Sequence, residues 1–258
     1  MTEEARTIDL KERGVVYVVA DAEALARAAA EEIVSVSNLA KSQSRAALVA
    51  LSGGSTPKKM GQLLASNEYS DRVAWDSLEL FWGDERFVPL ASEESNAGEA
   101  LRAFIDAAPI HPDDVHTWDT CDGITPEESA RNMEAAIREV SETPDGVPVF
   151  DLILLGMGDD GHTLSLFPGT NAMHNNTDIV MAHHVPKLDA DRVTFTPLLA
   201  NNARKVVFLV GGAGKADMLK TVLTGEIDID TYPSQVIRPT NGELEWLVDE
   251  AAAANLEQ

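Results

Sequence analysis

Residues 150–170, FDLILLGMGDDGHTLSLFPGT, hold the rest of the chain to a narrow set of folds. Phe150, Leu152, Ile153, Leu154 and Leu155 form an apolar run almost free of polar groups. Such a run, bounded by glycines, marks a central strand covered on both faces. The chain then breaks at Gly156, Gly158 and Gly161, residues that permit backbone angles and close approaches denied to others. The break delivers Asp159, Asp160 and His162 to the carboxyl end of the strand, the edge at which open α/β sheets bind ligands. A histidine there is a candidate proton-transfer group, because an imidazole ordinarily titrates near neutral pH.

The flanking segments alternate strand and helix. Val15 to Ala20 reads as a first strand, and Asp21 as the cap of a helix with Leu25, Ala29, Ile33, Val36 and Ala40 on its apolar stripe. Ala46 to Leu51 is a second buried strand, and the order β, α, β predicts a parallel sheet with right-handed crossovers. Leu78 to Trp82, Val115 to Trp118, Lys205 to Val210 and Glu243 to Val248 supply further strands. Thr125-Pro126-Glu127-Glu128 has the form of a capping box opening a helix to about Val140, and Ala216 to Leu223 reads as another helix. Glu142 to Pro148, with Pro144, is a loop. Ile179 to Val185 and Arg192 to Thr196 read as strands, either an antiparallel pair at the sheet's edge or a small subdomain. The expected fold is α/β: a doubly wound, mostly parallel sheet with helices on both faces and a small edge β subdomain, in a single domain over 1–258.

Charge and composition exclude several classes. With 43 acidic and 20 basic residues the net charge is −23, a surface that repels nucleic acid and anionic membranes. No apolar run approaches the roughly 20 residues of a membrane span. The N-terminus MTEEARTIDLKERG lacks a signal peptide's apolar core, and the single cysteine, Cys121, forms no internal disulfide. These features predict a cytoplasmic protein with neither nucleic-acid nor membrane partners. The expected assembly is a monomer or weak homo-oligomer. An anionic ligand would require the few basic residues near the site to make a local positive field against the global one.

Three other strand ends carry groups suited to an anion. After the second strand comes Ser52-Gly53-Gly54-Ser55-Thr56-Pro57, with Thr56 placed as a helix N-cap and Pro57 as its first residue. This is either an ordinary tight turn or a phosphate cradle at a helix N-terminus. Gly83-Asp84-Glu85-Arg86 ends the third strand, where Arg86 is a phosphate grip or part of a surface salt-bridge cluster. Ser95 and Asn96 open a helix through Phe104 and cap it, touch a ligand, or do both. Gly211-Gly212-Ala213-Gly214-Lys215 again sets glycines and a cation before a helix. One sheet edge thus brings Ser52 to Ser55, Arg86 and Lys215 toward Asp160 and His162, and a single phosphorylated ligand facing one histidine is the economical reading. Gly156, Gly158 and Gly161 formally match a dinucleotide fingerprint, but Asp159 and Asp160 would repel a pyrophosphate and Pro168-Gly169 interrupts the helix required. His183 and His184 are adjacent, not one helical turn apart, and read as strand surface residues rather than metal ligands.

Together, LSGGSTP, GDER, GMGDDGHTLSLFPGT, RVTFTPLLANNAR and GGAGK resemble the 6-phosphogluconolactonases of the glucosamine-6-phosphate isomerase/6-phosphogluconolactonase family. The resemblance covers about Val15 to Ala253 and implies hydrolysis of 6-phospho-D-glucono-1,5-lactone with no required cofactor; from the histidine spacing no metal site is expected. It implies that His162 is the general base, with Asp160 either orienting it or serving only the turn. Arg86 and Lys215 are implied to hold the 6-phosphate, helped by the backbone of Ser52, Gly53, Gly54 and Ser55, and Arg192 matches the arginine that opens the family's RVT segment. The isomerase/deaminase branch shares the DGH motif but typically continues as IAFNEP and has tyrosine in place of Arg86. That branch, and a non-catalytic sugar-phosphate sensor, are the alternative readings.

Overall fold

The computed structural model describes residues 6–143 and 145–256. Pro144 and the first five residues of the acidic N-terminus lie outside the described residues.

Local sequence sets most element boundaries. Strand β1 (Arg6–Asp9) pairs antiparallel with β2 (Val15–Val19). Helix α1 (Ala22–Ser42) begins where the Asp21 carboxylate accepts the N–H groups of Glu23 and Ala24, both at 2.9 Å. Strand β3 (Ala47–Leu51) follows, then α2 (Ser55–Leu64), β4 (Leu78–Trp82), the short β5 (Asp84–Arg86), α3 (Asn96–Ala103) and β6 (Val115–His116). Helix α4 (Pro126–Val140) opens with the expected reciprocal box between Thr125 and Glu128. The organising strand is β7 (Leu152–Leu155), followed by β8 (Val180–Val185) and β9 (Ala190–Phe195). Helix α5 (Pro197–Ala200), β10 (Lys205–Val210), α6 (Ala216–Thr224) and β11 (Glu243–Asp249) complete the described chain.

Eight strands form the main sheet in the order β1-β2-β11-β10-β7-β3-β4-β6, all parallel except β1. Every residue of β3 and β7 is buried, so both faces of the sheet's centre are covered. Phe208 and Trp246, register partners on β10 and β11, stack with ring centroids 3.9 Å apart. Each fully buried large apolar side chain of this kind contributes about 1.5–3 kcal/mol.

The uncertain β segment resolves as a separate sheet. Strands β5, β9 and β8 pair antiparallel in that order, and α4 packs against β8 and β9. Gly83 joins the two sheets: its N–H donates to Leu51 O at 2.9 Å, and its carbonyl accepts from Phe195 N at 2.7 Å.

Two local expectations need correction. Helix α2 starts at Ser55 with Gly54 as its N-cap, so Thr56 is not the cap and Pro57 sits in the third helical position. Gly54 takes φ +109°, a turn open to glycine that brings the helix in earlier, and proline is tolerated anywhere in a first turn because its missing N–H has no partner there. Strand β1 was not anticipated: its four residues alternate half-buried and exposed, too short a pattern to separate from a polar terminus.

Candidate active site

The centre of the sheet contains a topological switch. Strands β3 and β7 are neighbours, with Ala50 opposite Ile153, but the chain leaves β3 for β4 on one side and leaves β7 for β10 on the other. Such a divergence opens a crevice at the carboxyl ends of the strands. A cavity of about 600 Å³ lies there, walled by Ser52 to Gly54 after β3, by β5, by the turn after β7 and by the tip of the β8–β9 hairpin.

The turn after β7 presents His162. Gly158 N–H donates to His162 O at 2.8 Å, closing the turn, and the imidazole stacks on Phe167 at 4.2 Å between centroids. His162 Nδ1 lies 2.5 Å from Asp160 Oδ1, and Lys187 Nζ donates to Asp160 Oδ2 at 2.8 Å. Burial opposes ionisation of Asp160, but the hydrogen bonds from Lys187 and His162 outweigh it and hold the carboxyl well below the usual range. An ionised Asp160 accepts only, so Nδ1 carries the proton and the neutral ring keeps its basic lone pair on Nε2. Only glycine fits at 158, since a Cβ there would lie 2.0 Å from His162 Nδ1.

The small sheet supplies the positive charge. Arg86 on β5 and Arg192 on β9 are direct register partners, and both line the cavity. Like charges placed opposite across strands repel. Burial and the neighbouring Arg86 charge push the Arg192 guanidinium below its ordinary pKa. Arg86 Nη1 donates to Glu94 O at 2.6 Å and Arg192 Nη1 to Asp191 O at 3.0 Å, which leaves most of each fork's donors without a protein partner among the described residues.

Behind the arginines, Glu85 is 1% exposed. Its carboxylate accepts the N–H groups of Arg86, Asn96 and Ala97 and the Ser95 hydroxyl, at 2.8–3.0 Å. Burial pushes its pKa up, with those hydrogen bonds opposing. Glu85 thereby pins the start of α3 to β5. Ser95 caps α3, and Asn96 lines the cavity against Gly53, where a Cβ would stand 1.9 Å from Asn96 Oδ1.

A family model described as glucosamine-6-phosphate isomerases/6-phosphogluconolactonase matches residues 20–246. The chain belongs to this family. It is 40% identical to a 6-phosphogluconolactonase of Synechocystis over 209 residues, 81% of this chain and 84% of that one. It is 37% identical to a Nostoc 6-phosphogluconolactonase over 242 residues, 93% of this chain and 98% of the other. The solved 6-phosphogluconolactonase of Trypanosoma brucei superposes with a TM-score of 0.78 at 30% identity, covering 94% of this chain and 98% of that one.

Of the residues singled out by family resemblance, Ser52, Gly53, Gly54, Arg86, Asp160, His162 and Arg192 line the one cavity. Ser55 opens α2 without lining it, and Lys215 does not line it either but is paired with the exposed carboxylate of Asp159. The Ser52 hydroxyl is buried and has no protein partner among the described residues. Lys187 escaped the sequence reading because its role depends on a hairpin tip folding back over a distant turn. His183 is not a surface residue: its ring is half-buried and bonds the Ser165 carbonyl through Nε2 at 2.8 Å, and burial lowers its pKa. Its neighbour His184 is exposed, as expected.

Proposed function

We propose that this protein hydrolyses 6-phospho-D-glucono-1,5-lactone to 6-phosphogluconate, a step of the oxidative pentose phosphate pathway. The observation that carries the reading is the register pairing of Arg86 with Arg192 on the wall of the cavity that holds His162. Two guanidinium forks held against one another suit a dianionic phosphate, which removes their repulsion and accepts from both. The N–H groups at the start of α2, including that of Ser55, have no intrahelical acceptor and favour the same anion, with the Ser52 hydroxyl beside them. Lys215, whose charge is paired with Asp159, would join this site only by leaving that carboxylate.

With the 6-phosphate fixed, the lactone carbonyl is presented to His162. Nε2 takes a proton from a water whose oxygen attacks C1, and the carbonyl electrons move to oxygen. Backbone N–H groups of the turn other than those of Gly158 and Gly161, which close it, receive that oxyanion. The tetrahedral species collapses by breaking the bond from C1 to the ring oxygen. The imidazolium returns its proton to that oxygen, leaving the C5 hydroxyl and a C1 carboxylic acid. A lactone is an activated ester, so one general base suffices, and such help is worth about 10²- to 10⁴-fold. Asp160 keeps the imidazole in the required tautomer and stabilises its charged form.

The test is acid release from freshly generated 6-phosphogluconolactone above the spontaneous background, with glucosamine 6-phosphate in parallel. Fast lactone loss beside an inert amino sugar is the expected result. Ammonia release from the amino sugar would move the protein to the isomerase branch. Tight phosphosugar binding without turnover would make it a sensor.

A further inference from the structure

The cavity holds three carboxylates, and two are engaged. Asp159 is paired with Lys215, and Asp160 with Lys187 and His162. The third, Asp84, has no cation at ion-pair distance among the described residues. Its Oδ2 accepts the Ser165 hydroxyl at 2.6 Å, and no protein donor among the described residues reaches Oδ1.

Asp84 is nevertheless firmly held. Its carbonyl accepts from Asn96 Nδ2 at 3.1 Å, and Ser165 is itself buried, with its N–H on Thr194 Oγ1 at 3.2 Å and its carbonyl on His183. Ser165 lies three residues after His162, so the segment that carries the base also anchors this carboxylate. A fixed acceptor with one open oxygen on a cavity wall is suited to a hydroxyl donor of the ligand.

Strand geometry says which hydroxyl. Side chains alternate along a strand, so Asp84 and Arg86 share a face of β5 while Glu85 points the other way, as their burial confirms. Residues two apart on a strand stand about 7 Å apart. With a phosphate between Arg86 and Arg192, a ring hydroxyl a few bonds away, O4 or O3, would come within reach of Asp84 on the same cavity wall.

Resting on the lactonase reading above, we propose that Asp84 accepts a hydrogen bond from a secondary ring hydroxyl of the substrate, O4 or O3, and so determines specificity for the sugar. Phosphate, reacting carbon and ring hydroxyl then give three-point recognition of the substrate.

The experiment compares kcat/KM for the parent lactone and its 3-deoxy and 4-deoxy analogues, each generated from the deoxyglucose 6-phosphate just before use. Wild type should disfavour at least one analogue by about 10- to 100-fold, as for a lost hydrogen bond to a charged acceptor. In Asp84→Ser that ratio should collapse to within about threefold, since the variant has already lost the contact. Should Asp84→Ser fail to fold, Asp84→Asn, which is matched in shape, should shrink the ratio at least fivefold. A deoxygenation penalty equal in variant and wild type overturns the role of Asp84 and leaves the lactonase reading intact. Failure of wild type to hydrolyse the parent lactone overturns both.

Discussion

Lys187 Nζ and Asp160 Oδ2 are 2.8 Å apart, so the tip of the β8–β9 hairpin is tied to the carboxylate that holds the His162 imidazole. In Lys187→Met, burial of Asp160 is opposed by His162 alone, and the carboxyl pKa moves up from its depressed position. Protonated Asp160 no longer accepts from Nδ1–H as it does when ionised. The loss of kcat on acidification should therefore set in at a higher pH than in wild type. A profile superimposable on that of wild type would remove Lys187 from the site's electrostatics.

Replacing His162 by alanine removes the proposed base and leaves the arginine pair in place. Turnover should fall about 10²- to 10⁴-fold with KM within about threefold of wild type, measured by acid release. Unchanged turnover would exclude His162 as the base.

Arg86→Ala should raise KM about 10- to 100-fold with kcat little altered, because a phosphate contact fixes the substrate before the chemistry begins. Unphosphorylated gluconolactone should not distinguish variant from wild type. An equal loss on both substrates would take Arg86 out of the phosphate site.

Gly158→Ala probes the turn directly. Its Cβ would fall 2.0 Å from His162 Nδ1, so the imidazole must move. Misplacement of a catalytic group by about 1 Å costs about 10²-fold in rate, which is the expected loss in kcat with circular dichroism unchanged. Full activity would mean that the ring tolerates another position.

How much of this was legible in the sequence follows from the range of the interactions. β3, β7 and β10 announce themselves because each is a compact apolar run whose burial depends on its own residues. The α1 and α4 caps are equally local. The proton arrangement at His162 was half visible: Asp160 is two residues away, but Lys187 arrives from a separate hairpin. The facing of Arg86 and Arg192 was out of reach of any local pattern, because it is created by pairing strands that are distant in the chain. For the same reason His183 read as a surface residue, its partner Ser165 lying on another segment.

Gly83 acquires a particular importance from its place between the sheets. Side chains on β5 alternate, so one residue inserted after Gly83 would turn Arg86 away from the cavity and swing the Glu85 carboxylate toward it. His162 sits on a different strand's turn, but Ser165, three residues on, would lose the Asp84 carboxylate that accepts its hydroxyl. Chain length at Gly83 thus decides which charge the cavity presents, and a change there reaches the His162 turn through Ser165.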